Sequence, residues 1–173
     1  MSAKNNRNKK FNNFITNVRM ADDAIGADEL IDNAVDNAAL GALHPKWLAF
    51  LYDPSAVSGL RTAAAHTIPA SDGATAQTIP DNAIIIGFHV DVVTAFASSG
   101  SATIALGPAT DDPDGIKAAT AFDDGAYVAA TQVGGTPANS KKLTAARSLL
   151  VTVGTAALTA GKAYIYIQYI EGN

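Results

Sequence analysis

The stretch that most limits what this chain can fold into runs from Ile79 to Leu106, IPDNAIIIGFHVDVVTAFASSGSATIAL. Ile84, Ile86, Phe88, Val90, Val92 and Phe96 recur at a spacing of two. Gly87, His89, Asp91 and Ala95 fall between them, with Ile85 and Val93 as apolar exceptions. Successive side chains of a pleated strand point to opposite sides, so this alternation predicts a long, half-buried β-strand. Ala102, Ile104 and Leu106 repeat the alternation after Ser98-Ser99-Gly100, and two such runs around a short turn read as a hairpin. Pro80-Asp81-Asn82 supplies a turn at the other end. These residues build a sheet and set out no chemistry of their own.

Further runs extend the β pattern. Ala64–Ile68 reads as a short strand, and Leu149, Val151 and Val153 alternate. In the final run, residues 162–171 (KAYIYIQYIE), Ala163, Ile165, Ile167 and Tyr169 lie on one side and Tyr164, Tyr166, Gln168 and Ile170 on the other. Both sides are apolar enough to be covered, and one of them should meet either a second sheet or a neighbouring subunit. Residues 117–122 and 127–131 read as short strands around Asp123-Asp124-Gly125, a hairpin signal, and Gly134-Gly135-Thr136-Pro137 reads as loop. The count favours an all-β antiparallel sandwich, with a jelly roll the first choice among sandwiches.

The N-terminal part is different. Residues 1–20 carry Lys4, Arg7, Lys9, Lys10 and Arg19 with no acid, whereas residues 21–43 carry six acids with no base. The first segment lacks sustained periodicity and reads as a basic arm, although Phe11, Phe14, Ile15 and Val18 would share one helical face. Asp22 and Asp23 stand where a helix cap belongs. Leu30, Ile31, Ala34, Val35, Ala38 and Ala39 then predict a short amphipathic helix over about 24–40. Trp47, Leu48, Phe50, Leu51 and Tyr52 form an apolar anchor before Asp53-Pro54, and Trp47 is the only tryptophan. The predicted organisation is therefore 1–45 arm and helix, 46–62 connecting segment, and 63–173 sandwich.

With no cysteine, the chain has no disulfide framework and no thiolate site. No apolar run reaches the roughly 18 to 20 residues of a membrane span, and the basic N-terminus lacks the apolar core of a secretory signal. Neither a membrane nor nucleic acid is an expected partner, since five dispersed cations make a weak footprint for the latter. His89 and Asp91, two apart on one strand face, could in principle act as an acid–base pair, but no nucleophile accompanies them. His44 and His66 show no metal-ligand spacing. Asp111, Asp112 and Asp114 with Gly115 lack the closing Glu of a calcium loop of the EF-hand type and read as an acidic turn. No metal, no cofactor and no catalytic residue is expected, and the chain is not expected to be an enzyme.

The runs DPSAVSGLRTAAAHTI (53–68), IPDNAIIIGFHVDVVTAF (79–96), SATIALG (101–107) and LTAARSLLVTVGTAALTAGKAYIYIQYIEG (143–172) resemble a family of tailed-bacteriophage virion proteins. The resemblance covers about 53–172 and leaves residues 1–43 unaligned. It implies a structural particle component, and in particular a jelly-roll capsid decoration (cement) protein located on the phage head. Such a protein would bind the major capsid protein and associate with itself as a trimer. On that reading Lys9, Lys10, Phe11, Phe14, Ile15 and Trp47 are the expected capsid contacts, and Tyr164, Tyr166 and Ile170 the expected subunit interface. The alternative is a fibre or tail-associated module that binds host surface carbohydrate.

Overall fold

The computed structural model describes residues 44–110, 112–124, 127, 132–139 and 142–172. The expected arm and helix, with Lys9, Lys10, Phe11, Phe14 and Ile15, lie outside the described residues, as does Asp111. Among the described residues nine strands are formed: β1 (Lys46–Tyr52), β2 (Ala65–Thr67), β3 (Thr78–Ile79), β4 (Ala83–Ser98), β5 (Thr103–Pro108), β6 (Lys117–Ala121), β7 (Gln132–Gly135), β8 (Arg147–Gly154) and β9 (Leu158–Glu171). One 3-10 turn covers Ser58–Arg61. All pairings are antiparallel. A four-stranded sheet has the order β1-β9-β4-β7. A second sheet has the order β2-β8-β5-β6, with β3 also on β8.

Each sheet turns one face inward, as period-two patterning requires. From the first come Phe50, Tyr52, Phe88, Val90, Val92, Ile165 and Ile167. From the second come Ile104, Leu106, Leu149, Val151 and Val153, and all of these join one buried cluster. At one end Phe96 stacks on Tyr52, with centroids 5.8 Å apart, and meets the edge of Tyr127 at 5.6 Å. The Pro80-Asp81-Asn82 turn forms as expected. Asn82 takes φ 61°, a left-handed conformation that asparagine tolerates better than most residues.

Three expectations need correction. First, the turn at Ser98-Ser99-Gly100 does not close a hairpin, because β4 pairs with β9 and β7 while β5 pairs with β8 and β6. The turn carries the chain from one sheet to the other. Strands β6 and β7, on either side of Asp123-Asp124, likewise lie in different sheets; residues 128–131 of the strand expected over 127–131 lie outside the described residues. Secondly, Gly134-Gly135 is strand rather than loop, paired with His89 and Phe88. A Cβ at Gly134 would lie 2.7 Å from His89 Nδ1, so the close approach of these strands depends on its absence.

Thirdly, Ile84 and Ile86 do not share the buried side of Phe88. The pairing with β9 shifts between Ile85 and Gly87, a β-bulge that inserts one residue and inverts the alternation. Ala83 and Ile85 are therefore buried, while Ile84 and Ile86 turn outward. Further shifts between Val92 and Ala97 leave residues 93–95 exposed before Phe96 returns to the core. Lys46–Tyr52, assigned to the connecting segment, runs residue for residue along β9.

Candidate functional site

The outward face of the four-stranded sheet is organised by the register of β1, β9 and β4. Three cross-strand rows follow directly from the pairing. Trp47, Gln168 and Gly87 form one row; Ala49, Tyr166, His89 and Gly134 form the next. Leu51, Tyr164 and Asp91 form the third, and Ile170 stands opposite Ile84 beyond the first. Directly opposed residues have Cβ atoms about 4.5–5.5 Å apart, so members of each row are side-chain neighbours. A Cβ on Gly87 would lie 3.0 Å from Gln168 Oε1, which places that amide across the glycine.

Exposure separates this face from the core. Along β9, Ala163, Ile165, Ile167 and Tyr169 are buried, while Tyr164, Tyr166, Gln168 and Ile170 are only half-buried. Trp47 is 55% exposed, an unusual state for the largest apolar side chain in the protein. Val93, farther along β4, is also exposed. Indole and phenol rings combine a large apolar area with a polar tip, so a face of this composition suits a partner that is partly wet. Ion pairs lie near the two ends of β9: Lys46 Nζ to Glu171 Oε1 at 2.6 Å, and Lys162 Nζ to Asp53 Oδ2 at 3.2 Å. On the inner side at the Lys46 end, burial raises the Tyr169 phenol above its ordinary value. Lys46 opposes that shift and Glu171 adds to it.

The residues singled out from sequence are thus brought together in part. Trp47, Tyr164, Tyr166 and Ile170 occupy one face, although Trp47 had been assigned to a different partner. Ala49, Leu51 and Ile84 belong to the same surface and were not expected on it, whereas Gln168 falls on the side of β9 where the alternation put it. The signal for the first two was present, because KWLAFLY alternates with Trp47, Ala49 and Leu51 on one side. His89 and Asp91 also share the face, in adjacent rows, with no hydrogen bond between them. His66 is buried and its Nε2 lies 2.8 Å from the Thr62 carbonyl oxygen, a local structural contact. Asp112 accepts a hydrogen bond from Asn139 Nδ2 at 3.1 Å and closes the Asp112–Gly115 turn through its own carbonyl. Among the described residues no group of three His, Cys, Asp or Glu side chains could hold a metal. No described helix is long and apolar enough to cross a membrane.

No family model matches this chain, and no curated protein matches it. Among solved structures, it is similar to a chain of the acidic stable capsid of Helicobacter pylori bacteriophage KHP30. That match has 11% identity and a TM-score of 0.49, covering 73% of this chain and 86% of that one. It is also similar to a chain of the cyanophage Pam1 capsid asymmetric unit, at 16% identity and TM-score 0.49, covering 76% and 86%. A chain of the Ralstonia phage GP4 capsid matches at 17% identity and TM-score 0.49, covering 77% and 86%.

Proposed function

We propose that this chain is a structural protein of a tailed-phage virion, a capsid decoration (cement) protein of jelly-roll type that works mechanically and not as an enzyme. The virion part of the reading comes from the ordered runs 53–68, 79–96, 101–107 and 143–172. The assembly part is carried by one observation, the aromatic outward face built from Trp47, Leu51, Tyr164, Tyr166 and Ile170. Contiguous apolar surface of this kind marks a place where proteins meet.

Support for the jelly-roll reading comes from the strand orders. With the two-residue β3 set aside, the eight remaining strands stand first-eighth-third-sixth in one sheet and second-seventh-fourth-fifth in the other. First with eighth, second with seventh, third with sixth and fourth with fifth are the partners of one long hairpin. Folding that hairpin over on itself gives the two-sheet arrangement of a jelly roll.

In this reading the outward face packs against further copies of the chain, as a trimer, with Tyr164, Tyr166 and Ile170 at the contact. The segment holding Lys9, Lys10, Phe11, Phe14 and Ile15, together with Trp47, grips the major capsid protein on the head. Several modest contacts made at once give strong retention, because each contact after the first is intramolecular. The test is sedimentation of the full chain with purified empty phage heads. Saturable co-sedimentation that is lost on deletion of residues 1–43 is expected. Retention unchanged by that deletion would remove the proposed grip, and no co-sedimentation at any concentration would remove the head assignment.

A further inference from the structure

A shallow trough of about 430 Å³ opens at the end of the sandwich where the chain crosses between sheets, between the Ser98–Thr103 turn and residues 121–123. It lies away from the aromatic sheet face and plays no part in the reading above. Its lining is unusual for a protein with so few charges. Four hydroxyl-bearing residues, Ser98, Ser99, Ser101 and Thr103, line it with the aromatic Phe122 and the acidic Asp123. We infer that this trough is a binding site for a neutral saccharide.

The chemistry of the lining selects that ligand class. A pyranose presents vicinal hydroxyls along its edge and a patch of C–H groups on its face. The first need a carboxylate and hydroxyls as partners; the second needs an aromatic ring. Asp123 is exposed, is acceptor-only when ionised, and can take two hydrogen bonds at once from adjacent hydroxyls. Phe122 is half-buried, packed on the core from one side and open on the other. Neither the Asp123 carboxylate nor the Ser99 and Ser101 hydroxyls have a partner among the described residues. Among the described residues no Lys, Arg or His lines the trough, and none there gives an anionic ligand a counter-charge. The volume falls within the roughly 300–1,000 Å³ of small-molecule sites.

The walls are also held in place before any ligand arrives. Ser98 Oγ donates to the Ala157 carbonyl at 2.7 Å and accepts from Gly100 N–H at 3.1 Å. Ala102 N–H donates to the Gly100 carbonyl at 3.0 Å. Phe122 N–H donates to the Ala102 carbonyl at 3.1 Å, tying one wall to the other, and Asp124 N–H closes the turn onto Ala121 at 3.1 Å. A pre-ordered polar site avoids the ordering cost that a mobile loop would meet on binding.

The test applies the full chain to a printed array of neutral and acidic glycans, followed by isothermal titration of the strongest neutral oligosaccharide. Saturable binding to a neutral glycan is expected, weakened at least tenfold by Asp123→Asn and by Phe122→Leu and unchanged by Val57→Ser, a change at an exposed position outside the trough and the sheet face. Asp123 is exposed and makes no hydrogen bond with the other described residues, so its variant keeps the test valid even where Phe122→Leu disturbs folding. The inference is overturned by an array with no signal, by signal confined to acidic glycans, or by neutral binding that Asp123→Asn leaves intact. Failure of the head-sedimentation test would not affect it.

Discussion

Replacing Gly161 by alanine probes the close packing on which the junction of β4 and β9 depends. Gly161 holds φ 143°, a region open essentially to glycine alone. A Cβ there would lie 2.1 Å from Phe96 Cδ1, 2.5 Å from Cε1 and 2.9 Å from Cγ. Carbon atoms rest at about 3.5–4.0 Å, so the methyl overlaps the ring deeply. Neither side can yield freely. Phe96 is stacked on Tyr52 and edged by Tyr127. The Gly161 backbone is pinned by Ser55, whose Oγ donates to its carbonyl and accepts from its N–H, both at 2.9 Å.

Overpacking costs about 1–3 kcal/mol, and the forced backbone conformation about 1–3 kcal/mol more. The sum, roughly 2–6 kcal/mol, is a large part of the 5–15 kcal/mol that keeps an ordinary domain folded. At roughly 4 °C per kcal/mol for a domain of this size, Tm should fall by roughly 8–24 °C. Thermal melts by circular dichroism would measure it, with Gly59→Ala as control because a Cβ there meets nothing within 4 Å. Phe96→Leu combined with Gly161→Ala should be less destabilised than the sum of the two single variants. A Gly161→Ala melt within about 3 °C of the parent, or strict additivity with Phe96→Leu, would refute the clash.

Other consequences can be measured independently. Tyr164→Ser with Tyr166→Ser should leave Tm nearly unchanged but weaken self-association at least tenfold, a loss of about 1.4 kcal/mol. Sedimentation velocity across a concentration series reads this, and an unchanged distribution would count against the face. Burial raises the phenols of Tyr52 and Tyr127 above their ordinary range, with the Asp124 charge adding at Tyr127. The native chain then keeps protons that the unfolded chain releases near pH 10, so stability is full below pH 10 and falls above it. The slope approaches about 1.4 kcal/mol per pH unit for each phenol. Urea midpoints at pH 9, 10 and 11 should show the decline, and a flat profile would contradict it. Thr155 holds φ 68° at an exposed position, where a β-branched residue is strained. Thr155→Asn should therefore raise Tm by a few degrees, and a lower Tm would show the strain to be absent.

Much of this architecture was legible from residue order alone. Alternation in 84–96, 149–153 and 162–171 shows which stretches are extended and that one side of each must be covered. The turn residues Pro80-Asp81-Asn82 also announce where a strand begins. The aromatic face was half visible in the same way, because Tyr164, Tyr166 and Ile170 occur on the side of β9 opposite Ile165 and Ile167. Composition likewise shows that no disulfide contributes.

Period two reports which side of a strand faces inward, but it is silent on which strand lies alongside. Ser98-Ser99-Gly100 and Asp123-Asp124 have the chemistry of tight turns, and such a turn can close a hairpin or cross between sheets. Only the completed pairing of β4 with β9 and β7 decided for crossing. The bulge at Ile85–Gly87 was hidden for a related reason. Ile84, Ile85 and Ile86 are equally apolar, so nothing local marks where the alternation inverts, and the register against Tyr169 and Gln168 fixes it. That register also sets Trp47 beside Gln168 and Leu51 beside Tyr164, residues more than a hundred positions apart. Strand partnership depends on hydrogen bonds and packing between distant segments, which no window of neighbouring residues contains.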